Sequence, residues 1–71
     1  MRLNKEFTFF AYLIESYASY KGISAYEALK LLDDKDLTDF VYSMYEMYHT
    51  ESLENAFLDI DSLLQTGKTA W

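Results

Sequence analysis

The chain has no cysteine, no proline and only two glycines, Gly22 and Gly67, among its 71 residues. Without cysteine there is neither a disulfide framework nor a thiolate metal site, so packing alone must hold the fold. With so few turn formers, a β-sandwich or small barrel lacks the residues its tight turns require, whereas helices need only caps. The expected class is all-α. Histidine occurs once, at His49. Any nucleophile would be a serine, a threonine or a carboxylate, and none comes with a matching base, so no enzymatic chemistry, catalytic residue or cofactor is expected.

Positive charge is also scarce. Six Lys and Arg stand against twelve Asp and Glu, a net charge of −6. Residues 27–61 hold ten of those acids against Lys30 and Lys35 alone. Direct nucleic-acid binding is disfavoured, because it needs cations to displace counterions from phosphates; a basic protein partner suits the charge better. The apolar run at residues 7–14 is too short to span a bilayer, which takes about 20 apolar residues. Arg2 and Lys5 precede that run, but Glu15, Tyr17 and Tyr20 stand where a signal-peptide cleavage site would lie, so a cytoplasmic setting is expected.

Hydrophobic residues make up 51% of the chain and aromatics 18%, which argues for a packed fold over disorder. A chain this short buries only about 60% of its unfolded surface and holds one core. The reading is a single domain over residues 1–71, ordered over about residues 4–65, with a tail at 66–71 ending in Trp71. So small a core leaves room for a homodimer or another protein to add stability.

Periodicity places four helices in a compact bundle, one long, one short and two medium. Asn4 caps the first, over residues 5–21, whose inner stripe is Phe7, Phe10, Ala11, Ile14, Tyr17 and Ala18. Phe9, Leu13 and Tyr20 form a second stripe beside it. Either this is a central helix covered from two sides, or the second stripe meets a protein partner. Gly22 ends the helix in a left-handed C′ position with Ile23 as its hydrophobic companion. Ser24 and Glu27 then form a capping box for a short helix over residues 25–32.

The acidic turn at residues 33–36 fails as a calcium loop. Starting at Asp34, it puts Asp39 at the glycine position and Tyr45 at that of the bidentate glutamate. Asp36 is instead the expected N-cap of a third helix over residues 37–48, with Asp39 supporting its first turn. Tyr42, Tyr45 and His49 fall along one flank of that helix, an aromatic edge suited to protein contact or to closing the core margin. A fourth helix over about residues 51–65 has Thr50 or Ser52 as N-cap, Gly67 as its stop and Leu58 left outside. Asp59 and Asp61 flank its apolar stripe on opposite sides. The tail carries a Gly-Lys-Thr, but Ser62 replaces the first glycine of a phosphate loop and a helix replaces the strand.

The junction of helices three and four, with His49, Thr50, Asp59 and Asp61, is therefore read as a structural corner and not as a metal or ligand site. His49 in a last helical turn is suited to free carbonyls there, or to a carboxylate of the fourth helix. Tyr42 and Tyr45 beside it are the candidate contact residues, together with Phe9, Leu13 and Tyr20.

The run from Tyr45 to Thr50, followed by Leu58-Asp59-Ile60-Asp61, resembles a family of short bacterial helical proteins, frequent in Firmicutes and described only as a domain of unknown function. Proteins similar to this carry an aromatic-acid-x-x-His-Thr signature, then an Asp-Ile pair. The resemblance extends through the aromatic first helix and the Gly-Ile-Ser turn; Tyr48 stands where an aliphatic residue is common. It implies no activity. It does imply a genetic setting beside toxin-like proteins, some resembling ADP-ribosyltransferases, and so an antitoxin or immunity-like accessory. A homodimeric adaptor and a nucleic-acid mimic are the alternatives.

Overall fold

The computed structural model of the protein describes residues 4–68. Five helices follow in order: α1 (Lys5–Lys21), α2 (Ala25–Asp34), α3 (Thr38–Ser43), α4 (Tyr45–Tyr48) and α5 (Leu53–Thr66). No strand occurs among the described residues.

Local sequence accounts for most of the boundaries. The Asn4 side chain accepts from the Phe7 amide at 2.6 Å, capping α1. At its other end Gly22 adopts φ 74°, and Ile23 N–H donates to the Ala18 carbonyl at 2.9 Å while Gly22 N–H donates to Ser19 at 3.2 Å. These are the two bonds of a Schellman motif. The capping box follows: the Ser24 hydroxyl accepts from the Glu27 amide at 3.1 Å, and the Glu27 carboxylate accepts from the Ser24 amide at 3.3 Å. Ser52, not Thr50, caps α5, and Gly67 closes it at φ 78°.

Two expectations fail between α2 and α5. Asp36 is not an N-cap: it is the C′ residue of α2, at φ 58°. Leu37 N–H reaches back to the Leu32 carbonyl at 2.8 Å, and Asp36 N–H to Asp33 at 2.9 Å. This is a second Schellman motif, here with aspartate in the left-handed region, which short polar side chains tolerate. Leu37 then occupies the cap position of α3 with no side-chain bond. The Thr38 hydroxyl instead donates to the Asp33 carboxylate, tying α3 to the end of α2.

The helix expected over residues 37–48 is broken at Met44, so four helices become five. Met44 sits at φ −85°, ψ 15°, and the bonds around it, Met44 N–H to Val41 and Met47 N–H to Met44, both 3.1 Å, span three residues instead of four. Ser43 contributes, its hydroxyl donating to the Phe40 carbonyl at 2.7 Å. The break re-aims α4 relative to α3.

Helix α1 is the centre of the fold. Its Leu13, Ile14, Tyr17 and Ala18 are buried with Ala28 and Leu32 of α2, Val41 of α3, Tyr48 of α4, and Ala56, Phe57, Ile60 and Leu63 of α5. Phe7, assigned from periodicity to the inner stripe, is 45% exposed, and Ala11 is also exposed. The short turn at Gly22 folds α2 back along α1, but α2 has ten residues against seventeen and cannot cover the first turns of its partner.

Candidate interaction surface

The four residues expected to form a corner each do something different. Asp61 joins α5 to α1: the buried Tyr17 hydroxyl donates to its Oδ1 at 2.5 Å, and Lys21 Nζ lies 3.3 Å from the same oxygen. Asp59, one turn-face away, is only 3% exposed. It faces the buried hydroxyl of Tyr48 on α4. Burial raises the pKa of both tyrosines well above the usual phenol value, and the neighbouring aspartate raises each further. The two aspartates therefore serve separate joints and do not converge on one site. Sequence reasoning placed them on different sides of the helix but missed their tyrosine partners. Sequence separation hides such pairs: Tyr17 and Asp61 are 44 residues apart.

His49 and Thr50 both turn back on their own helix. His49 Nδ1 lies 2.7 Å from the Tyr45 carbonyl, and the Thr50 hydroxyl donates to Met47 at 2.9 Å and Glu46 at 3.2 Å. They add side-chain bonds at the end of α4, where the Tyr45 and Met47 carbonyls also accept from the His49 and Thr50 amides at 3.0 and 3.3 Å. Thr50 is thus no cap for α5. Nor does His49 pair with a carboxylate of α5; its ring stacks on Tyr45, centroids 4.3 Å apart and planes 5° from parallel.

Of the five aromatic and aliphatic residues singled out for partner contact, Leu13 is excluded, being 0% exposed. It is a core residue, clustered with buried side chains from the other four helices. Tyr42 and Tyr45 do not share one free edge, since the break at Met44 separates them. Tyr42 packs on Phe10 at 5.4 Å and Tyr45 edge-on to Phe9 at 5.6 Å. Both are half-buried, as is Phe9.

Tyr20 is the one of the five that remains mainly in solvent, 57% exposed. It lies stacked on Phe57 of α5, 4.9 Å between centroids at 22°, with Tyr17 behind both rings at 6.4 and 5.8 Å. Together with Leu58, which is 56% exposed, and Glu54, Tyr20 and Phe57 line an open groove of about 350 Å³ between α1 and α5. A second shallow groove of about 400 Å³ runs over Lys5, Thr8, Phe9 and Tyr12. Leu58 was legible as an outward residue of its helix; its pairing with Tyr20 was not.

Among the described residues no group of three or more His, Cys, Asp or Glu side chains is placed to hold a metal ion. No helix among the described residues is long and apolar enough to cross a membrane. In comparison with known proteins, the model of a family described as "Protein of unknown function (DUF3791)" matches residues 8–67. No curated protein and no solved structure matches the chain.

Proposed function

Because the chain belongs to the DUF3791 family, whose description assigns no activity, we propose a function from its own surface: a small acidic module that binds another protein and catalyses nothing itself. The observation that carries this is the set of large apolar side chains left in water. Phe7, Tyr12, Tyr20, Tyr26, Leu31 and Leu58 are all between 44% and 74% exposed. With twelve buried apolar residues in the core among those described, the fold gains by burying such groups, and leaving these six outside is explained if some of them are covered by a partner.

The net charge of −6 supports a basic surface as the target, since complementary fields speed encounter and fix orientation. An antitoxin or immunity-like accessory, masking a cationic cleft of a toxin-like protein, is the most specific form of this reading. Stoichiometric co-purification from the native host tests it. A toxin-like partner retained by the wild type and lost with Tyr20→Ser or Leu58→Ser supports the reading. A chain that sediments alone as a homodimer would replace it with a self-associating adaptor, and capture of a DNA-binding protein would point to nucleic-acid mimicry.

A further inference from the structure

We propose that the groove between α1 and α5, lined by Tyr20, Glu54, Phe57 and Leu58, seats a basic amphipathic helix of the partner protein, an aliphatic or aromatic anchor entering between Tyr20 and Leu58. This rests on the protein-binding reading and names the chemistry of what is bound.

The floor of the groove is fixed before anything binds. Tyr20 and Phe57 are stacked, and Tyr17 packs against both from the buried side. Tyr17 is held in turn by its 2.5 Å bond to Asp61. Rigid aromatic surfaces in concave settings are where binding energy concentrates, because little side-chain freedom is lost on contact. The walls come from two helices, and a groove of this kind accommodates a third helix that presents anchors at i and i+3 or i+4.

Charge selects the occupant. Glu54 stands in the wall, and among the described residues it forms no ion pair. Lys21, whose Nζ lies 5.8 Å from the centre of the Tyr20 ring, is engaged by Asp61 at 3.3 Å. An incoming helix with Lys or Arg beside its anchor meets the uncompensated Glu54 carboxylate, whereas nucleic acid is repelled by the net charge of −6. A second copy of this chain would present the same acidic groove, with no cation in its lining. Area argues the same way. A stable protein interface takes about 800 Å² from each partner, roughly a sixth of the 4867 Å² this molecule exposes. Three apolar side chains fall well short of that, so the groove suits one helix and not a whole matching face.

The test is selection from a displayed library of random helical peptides on the full chain, repeated with Glu54→Lys and Leu58→Ser. Both positions are exposed, and unchanged urea midpoints confirm that the variants fold. Peptides with Lys or Arg flanking an apolar anchor are expected. Their binding should weaken about tenfold or more in either variant and fall as salt is raised. Nuclear magnetic resonance shifts should map to Tyr20, Phe57 and Leu58. Selected peptides that are acidic or uncharged, or that bind both variants as well as the wild type, overturn the groove assignment while leaving a protein-binding function in place. Recovery of no peptide from any of the three proteins counts against both. A dimer abolished by Leu58→Ser would give the groove to a second copy.

Discussion

The Tyr17 hydroxyl donates to Asp61 at 2.5 Å, across 44 residues, and that bond joins the central helix to the last one. Asp61 is also the acceptor for Lys21, so one carboxylate holds two side chains of α1. The tertiary position of α5 depends on this contact together with the burial of Phe57 and Ile60.

Tyr17→Phe should therefore destabilise the protein, even though the ring stays in the core. A hydrogen bond to a charged group contributes about 1.5–3 kcal/mol. The lower end is expected here, because Asp61 keeps Lys21 and some solvent. Urea unfolding is the measurement; an unchanged midpoint would show that the bond contributes nothing net.

Alkaline pH should unfold the protein in a defined window. Tyr17 and Tyr48 both have folded-state pKa values raised above the ordinary 10.0. Between that value and the raised ones the folded state holds protons that the unfolded state has lost. Stability is therefore full below about pH 10 and then drops by about 1.4 kcal/mol per pH unit for each tyrosine. Tyr48→Phe should make the decline shallower. Equal slopes for wild type and variant in urea titrations at several alkaline pH values would contradict this.

Asp36→Gly should stabilise. An L-residue in the left-handed region costs about 1–2 kcal/mol, less for aspartate, and glycine removes that cost. A gain of about 0.5–1 kcal/mol, or a few degrees in melting temperature, is expected. Asp36→Asn separates backbone from charge: it removes the same negative charge from the acidic turn while keeping a side chain. If Asn raises the melting temperature as much as Gly, the effect is electrostatic and the conformational account fails.

His49→Ala removes both the bond to the Tyr45 carbonyl and the stacked ring, and should lower the melting temperature by several degrees, consistent with about 1 kcal/mol in a domain this size. Differential scanning calorimetry decides it. No shift would mean that water replaces the imidazole at the helix end without cost.

Leu13 and Leu58 provide the contrast between core and surface. Leu13→Ala should cost about 2–5 kcal/mol, enough to unfold a marginal domain, whereas Leu58→Ala should fall within about 0.5 kcal/mol. Comparable losses at the two positions would refute their assignment to opposite sides of the fold.

Much of this molecule is local, and local features were legible in the chain. Asn4, the Gly22-Ile23 stop and the box of Ser24 and Glu27 set the limits of α1 and the start of α2, because each cap is a bond between residues three to five apart. The apolar period likewise placed Ile14, Tyr17, Ile60 and Leu63 inside. Asp36 and Met44 were not legible. An aspartate before an apolar run reads equally as the cap of the next helix or the C′ of the previous one, and only the arrival of Leu37 at Leu32 decides. The kink at Met44 leaves the hydrophobic pattern unbroken while turning Tyr42 and Tyr45 onto different rings.

What the sequence by itself determined, then, is an acidic all-helical domain with a corner at residues 49–52, since caps and periodicity act over a few residues. Only the tertiary structure decided which outward residues meet. It buried Leu13, gave Asp59 and Asp61 to different tyrosines, and set Tyr20 against Phe57 beside Leu58, because contacts between helices depend on where each axis lies, and no short stretch of chain encodes that.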